Sequence, residues 1–163
     1  MPPLPVIRPS RIEELDRLME ILAQAVRFMR SQGNMTQWAG NYPSRDILYE
    51  DIRQGRLFVA LLDDRIVATF CFTEGPDPTY AVIEQGSWLH EEPYHVIHRM
   101  ACIERNRGIA SACMAWCLAR ARHVRVDTHR DNRPMQQLLA KFGFSPRGII
   151  HIADGSERIA FER

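Results

Sequence analysis

The sequence predicts a mixed α/β (α+β) fold: one twisted, mostly antiparallel sheet with a parallel strand pair at its centre and helices on its faces. Three observations lead there. Apolar extended runs alternate with amphipathic helical runs along the 163 residues, the pattern of a sheet covered by helices. Two pairs of extended runs, 57–62 with 66–72 and 145–152 with 158–162, are joined at Asp63-Asp64 and Asp154-Gly155 and read as antiparallel hairpins. Between them, strand 94–102, a glycine-containing turn, helix 109–122 and strand 124–128 form a βαβ unit, whose right-handed crossover makes its two strands parallel.

Each element has a local cause. Val6 to Arg8 is a short strand. Ser10 and Glu13 have the spacing of a capping box ahead of a helix to about Gln32, in which Ile12, Leu15, Leu18, Leu22 and Val26 recur near helical spacing and Gly33 is the stop. Asn34 to Pro43 is a loop carrying Trp38 and Tyr42, and Ser44 caps a second helix to about Gln54. The long, proline-containing loop from Thr73 to Pro93 is of a kind that is disproportionately functional in compact domains. Asn132, with Pro134 in the first turn, caps helix 133–142, and Gly143 ends it between Phe142 and Phe144.

Composition narrows the function. With 45% hydrophobic and 25% charged residues, the chain suits one sizeable core, so a single domain over 1–163 is expected. The longest apolar run, Leu57 to Leu62, is far below membrane-spanning length, and Met1 to Pro5 lacks the features of a signal peptide; a cytoplasmic protein is expected. The four cysteines form no Cys-x-x-Cys pair and fall in strands or helices, which favours buried free thiols over disulfides or zinc. His95 and His98 are three apart on a strand and face opposite sides, so no metal centre is expected with His90. The net charge of +1 is unevenly spread: eight arginines against three acids from Arg99 to Arg133, and five acids without Lys or Arg from Glu74 to Glu92. The basic half suits a polyphosphorylated cofactor and the acidic segment a cationic amine. A pI of 7.8, with no basic stretch interleaved with aromatics, argues against nucleic acid.

Chemistry concentrates at the turn Arg105-Asn106-Arg107-Gly108-Ile109-Ala110. Gly108 lets backbone approach a ligand, the first N–H groups of the following helix point outward, and Arg105 and Arg107 add positive charge. The pattern Arg-x-x-Gly-x-Ala, preceded by His98-Arg99-Met100-Ala101-Cys102 and followed by Asn132 to Phe144, resembles the acyl-CoA-binding region of the GNAT (GCN5-related) N-acetyltransferases. The resemblance covers nearly the whole chain and is least diagnostic over residues 1–55. It implies acetyl-CoA as cofactor, with its pyrophosphate on residues 105–110 and its pantetheine arm along Met100, Ala101 and Cys102, reaching Asn132. It also implies direct attack on the thioester by a primary amine of a small molecule or peptide, with the oxyanion held by backbone N–H groups around Ala101 and Cys102.

An alkylammonium must shed a proton before attacking. His98 is the preferred base, since histidine titrates near neutrality and an alternating strand puts it on the face of Met100 and Cys102. Glu91, Glu92 and Tyr94 on the acidic loop are its rivals, and Trp38, Tyr42 and Trp88 are the expected walls of an acceptor pocket. Two features depart from the family: a shorter link before Arg105, and Leu139 where many members carry a tyrosine that protonates the departing thiolate. Leu139 keeps open a non-catalytic acyl-CoA-binding or sensing module as the alternative. The expected partner is a small-molecule or peptide amine, cationic in character, with neither nucleic acid nor membrane; a homodimer is left open.

Overall fold

The computed structural model describes residues 3–105 and 107–163. Its strands are β1 (Val6–Pro9), β2 (Leu57–Leu62), β3 (Arg65–Glu74), β4 (His95–Cys102), β5 (Val124–Thr128), β6 (Ser145–His151) and β7 (Glu157–Glu162). Its helices are α1 (Leu15–Ser31), α2 (Arg45–Arg53), α3 (Ile109–Leu118) and α4 (Arg133–Lys141), with short 3-10 turns at Ile12–Glu14 and Pro78–Tyr80. The strands form one sheet in the order β1-β2-β3-β4-β5-β7-β6, antiparallel throughout except for the β4–β5 pair. That is the predicted mixed sheet, its parallel pair created by the α3 crossover.

Alternation along the strands sorts apolar side chains onto two faces. On one, Phe70, Phe72, Ile97 and Val126 pack against Ile109, Cys113 and Met114 of α3 and Leu139 of α4. On the other, Leu57, Val59, Cys71 and Ala101 pack against Leu18, Ile21 and Leu22 of α1 and Leu48 of α2. Burial pushes the Cys71 thiol up to about 11 and the Cys117 thiol up to about 12, and all four cysteines are free. No described helix is long and apolar enough to cross a membrane.

A buried charge network ties down the long loop between β3 and β4. Glu162 of β7, 1% exposed, accepts hydrogen bonds from the Leu89 N–H, from His123 Nε2 at 2.7 Å and from Arg125 Nε at 3.0 Å. Burial raises the Glu162 carboxyl pKa, but these donors outweigh it and leave it below the ordinary value. Arg125 also donates to the His90 carbonyl and stacks its guanidinium 4.1 Å over both the Trp88 and Tyr94 rings.

Two local expectations are corrected. The predicted capping box at Ser10 and Glu13 is shifted by one residue: the Glu14 side chain accepts from the Arg11 N–H at 2.8 Å, and the Ser10 hydroxyl donates to the Leu57 carbonyl of β2 instead. The shift follows from the 3-10 turn that precedes α1. More consequential is a β-bulge in β4. Ala101 pairs with Thr69 and His98 with Cys71, so Phe70 alone opposes both Arg99 and Met100. Arg99 sits at φ 53°, held by two hydrogen bonds to the buried Asp51 carboxylate of α2 and one to the Tyr42 hydroxyl. The extra residue reverses the strand's parity: His98 shares a face with Ala101, while Met100 and Cys102 pack toward α3 and α4. The alternation expected to group His98 with Met100 and Cys102 fails for that reason.

Candidate active site

β4 and β5 pair only at His95–Val124 and Val96–Arg125 and then diverge. From Ile97 to Cys102 the β5-facing edge of β4 therefore has no strand partner. The split opens a cleft of about 1340 Å³ that reaches from the start of α3 to the loops at 36–44 and 152–154.

At one end of the cleft, α3 begins at Gly108, whose φ of +72° is the left-handed conformation that favours glycine. The first intrahelical bond is from the Ala112 N–H to the Gly108 carbonyl, and the helix has neither a side-chain cap nor an acidic residue in its first turn. Its free N–H groups are therefore open to an anion. Arg105 lines this end, its guanidinium 3.1 Å over the Phe28 ring centroid, and Lys141 reaches in from α4 to donate to the Ser111 hydroxyl at 2.9 Å. Met100, Ala101, Cys102 and Asn132 line the middle. Asn132 caps α4 through the Met135 N–H and donates its amide to Gln37 at 3.0 Å, fastening the loop after α1 beside the cleft. A helix start with two cations suits a pyrophosphate, and an unpaired strand edge suits an extended amide-bearing arm.

At the other end, His98 lies between two carboxylates. Its Nε2 is 2.7 Å from Asp77 Oδ2, and its Nδ1 is 3.9 Å from Asp127 Oδ1. Burial raises the Asp77 carboxyl pKa, but the hydrogen bond and charge of His98 and the Thr79 N–H overcome this and bring it down to about 2. An ionised carboxylate only accepts, so Nε2 carries the hydrogen. In the neutral ring, the lone pair is then on Nδ1. Asp127 Oδ1 also accepts from the hydroxyl of the buried Tyr80 at 2.6 Å. Burial and the neighbouring carboxylate push that phenol well above its ordinary value, so it remains a donor.

A family profile described as acetyltransferase (GNAT) family matches residues 15–144. The chain belongs to the GNAT family. A GNAT-family acetyltransferase of Streptococcus agalactiae is 27% identical and superimposes with a TM-score of 0.91, covering 100% of this chain and 98% of that one. An agmatine N-acetyltransferase (15% identity, TM-score 0.68, 99% of each chain) and Ard1 of Thermoplasma volcanium (17%, 0.66, 99% and 97%) share the fold. No curated protein matches.

Within this GNAT cleft, His98, Met100, Ala101, Cys102, Arg105, Ala110, Asn132, Trp38 and Tyr42 come together. Other predicted site residues lie apart. Arg107 is exposed and ion-paired with Glu104, Ile109 is buried in the core, and Asn106 lies outside the described residues. Trp88 packs behind the site, donating its indole N–H to the Tyr80 carbonyl. The Tyr94 hydroxyl accepts from the Asp77 N–H at 2.9 Å, which makes Tyr94 a support for Asp77. Glu91 is exposed, and Glu92 borders a separate recess with His90 and His123, because the Glu162 network turns their end of the loop away from the cleft. Leu139 is fully buried against the sheet, whereas Pro134, Met135, Gln137, Leu138 and Lys141 are the α4 residues that line the cleft. The tyrosine-for-leucine difference at 139 therefore concerns a core position in this chain.

Asp77, Asp127, Tyr80 and Lys141 were missed as site residues. Two left a signal: Asp127 is a carboxylate inside the apolar strand Val-Arg-Val-Asp-Thr, and Asp77 stands in Gly-Pro-Asp-Pro-Thr, where its Oδ1 accepts from the Thr79 N–H. The hydroxyl of Thr128, buried beside the cleft, has no hydrogen-bond partner among the described residues.

Proposed function

We propose that this GNAT protein is an N-acetyltransferase that moves an acetyl group from acetyl-CoA to a primary amine by direct attack. The observation that carries the reading is the β4–β5 split, with His98 held between Asp77 and Asp127 where the strands part. Acetyl-CoA supplies an activated acetyl thioester when bound. The free N–H groups of α3, Arg105 and Lys141 hold the diphosphate, and the open edge of β4 at Met100–Cys102 holds the amide arm. Backbone N–H groups near Ala101 and Cys102 stabilise charge developing on the carbonyl oxygen.

Asp127 offers its carboxylate to the incoming ammonium, and Asp77 fixes the His98 tautomer so that Nδ1 faces that ammonium and takes its proton. Trp38 and Tyr42 border the acceptor, and the small-amine class is in keeping with the shared fold of the agmatine N-acetyltransferase. A thiol with an ordinary pKa of about 8.5 leaves tolerably as thiolate, so no tyrosine acid is required. The test is free-thiol release from acetyl-CoA across polyamines, amino acids, aminoglycosides and peptides. Release with at least one amine is expected. Tight acetyl-CoA binding with no release for any amine would identify a binding module.

A further inference from the structure

Arg158 of β7 lines the cleft and is only 6% exposed. Its neighbours in the sheet fix where it sits. Asp127 pairs with Ala160, and Arg158 is two residues along the same strand, so Arg158 and Asp127 share a face. Such diagonal neighbours across an antiparallel pair are roughly 7–8 Å apart. His98 approaches Asp127 from β4, which makes a row of base, carboxylate and guanidinium across three strands.

The guanidinium is only partly answered by the protein, and its unbonded nitrogens are not among the fully enclosed polar atoms, so they open onto the cleft. Nη1 donates to the Glu157 carbonyl at 2.8 Å and the Ser156 hydroxyl at 3.1 Å. Among the described residues, no carboxylate lies within 4.0 Å of it, and Nη2 and Nε make no hydrogen bond. The other arginines buried near the site are answered: Arg99 by Asp51 and Arg125 by Glu162. Asp154 also lines the cleft: its Oδ1 accepts from Ser156 within its own turn, and the Arg158 charge acts on it from beyond ion-pair distance as the weakest of the influences on its carboxyl. The Arg158 charge is nonetheless felt nearby, since after burial it is the largest influence lowering the His129 pKa. Charged groups this buried are almost always paired, and a guanidinium fork is shaped to take a carboxylate on two N–H groups.

We infer that Arg158 binds a carboxylate of the acceptor, and hence that the acceptor is a free amino acid. Its amine lies at His98 and Asp127, and its acid group lies a few bonds away at Arg158. This rests on the acetyl-transfer reading above and narrows its substrate class. A plain polyamine would leave the guanidinium unanswered and place a second positive charge beside it.

The experiment compares each amino acid with its amide and its decarboxylated amine in the thiol-release assay, using the wild type, Arg158→Gln and Arg158→Lys. The expected result is a kcat/KM at least about tenfold higher for the acid than for either partner, the size of one charge-assisted hydrogen bond. Arg158→Gln should bring the acid down to its amide, mostly through KM, with KM for acetyl-CoA unmoved. Arg158→Lys should keep part of the preference, and it answers the question if the glutamine variant does not fold. Equal use of acid and amide by the wild type, or a preference that survives Arg158→Gln, overturns the inference. Calorimetry with an N-acetyl amino acid and its amide reads the same contact without turnover. Tighter binding of the acid, lost in Arg158→Gln, supports it; equal affinities overturn it. Absence of thiol release with every amine would defeat the acetyl-transfer reading alone, and the calorimetric pair would still decide on Arg158.

Discussion

The proposed cofactor arm of the cleft is drawn mainly from one contiguous stretch, from the open edge of β4 to the start of α3, whereas the proposed acceptor arm takes Asp77 from the loop after β3, His98 from β4, Asp127 from β5 and Arg158 from β7. The first works largely through backbone N–H groups and a helix terminus, which depend on conformation more than on side-chain identity. The second rests on partly buried ionisable side chains, three of them held by a neighbour: Tyr94 braces the Asp77 backbone, Asp77 holds His98, and Tyr80 holds Asp127. A binding arm of the first kind tolerates most side-chain changes and fails when backbone geometry is blocked. An arm of the second kind fails when one member is removed.

The sharpest way to break this contrast is His98→Ala. Loss of a general base should lower kcat by about 10²- to 10⁴-fold while acetyl-CoA affinity, measured by calorimetry, stays put. A kcat within a few-fold of wild type would pass the proton to Asp127 or solvent and leave His98 as a strut. Gly108→Val is the complementary blow to the other arm. A Cβ there meets no protein atom within 4 Å, so the cost to folding is the strain of φ +72°, about 1–2 kcal/mol. Acetyl-CoA binding should weaken by about 10- to 100-fold if the side chain blocks one backbone bond to a phosphate. Gly108→Ala shares much of the strain with less bulk and should bind closer to wild type.

Helix α4 separates core from cleft at adjacent positions. Leu139→Tyr should overpack the sheet and destabilise by about 1–3 kcal/mol in denaturant titration, whereas Leu138→Tyr should cost less and place a hydroxyl in the cleft. A stable Leu139→Tyr enzyme with raised turnover would contradict that division. Asp77 offers a pH test. Its pKa of about 2 lies below an ordinary unfolded value of about 3.9, so its contribution to stability is present above pH 4 and is lost as pH falls toward 2. Asp77→Asn should flatten, without abolishing, the decline of Tm over that window, because Glu162 and Glu14 also have lowered pKa values. The smallest effect belongs to Glu91→Gln with Glu92→Gln: surface changes outside the cleft should move stability by less than about 0.5 kcal/mol and leave acceptor KM within about twofold. A large, salt-sensitive rise in that KM would restore the acidic loop as an acceptor guide.

The order of strands and helices, the parallel pair and the glycine turn were legible because each is written locally. Alternating apolar residues, a cap at Ser44 or Asn132, and a glycine before an apolar helix act over a few residues, the range on which backbone conformation is decided. Turn, strand edge and His98 could be named from the sequence for that reason. The partners of His98 could not. Asp77 and Asp127 are 21 and 29 residues from it, and their convergence depends on the sheet order and on a loop tied down by Glu162, 85 residues from Asp77. The bulge at Arg99 is likewise invisible to periodicity, since the buried Asp51 that holds the arginine lies on a helix 48 residues earlier. Local pattern decided which segments are strands and helices and where an anion can rest. Only tertiary packing decided which face each strand residue shows, because one inserted residue reverses that face, and which charges meet, because an ion pair forms between groups that folding, not sequence spacing, brings within reach.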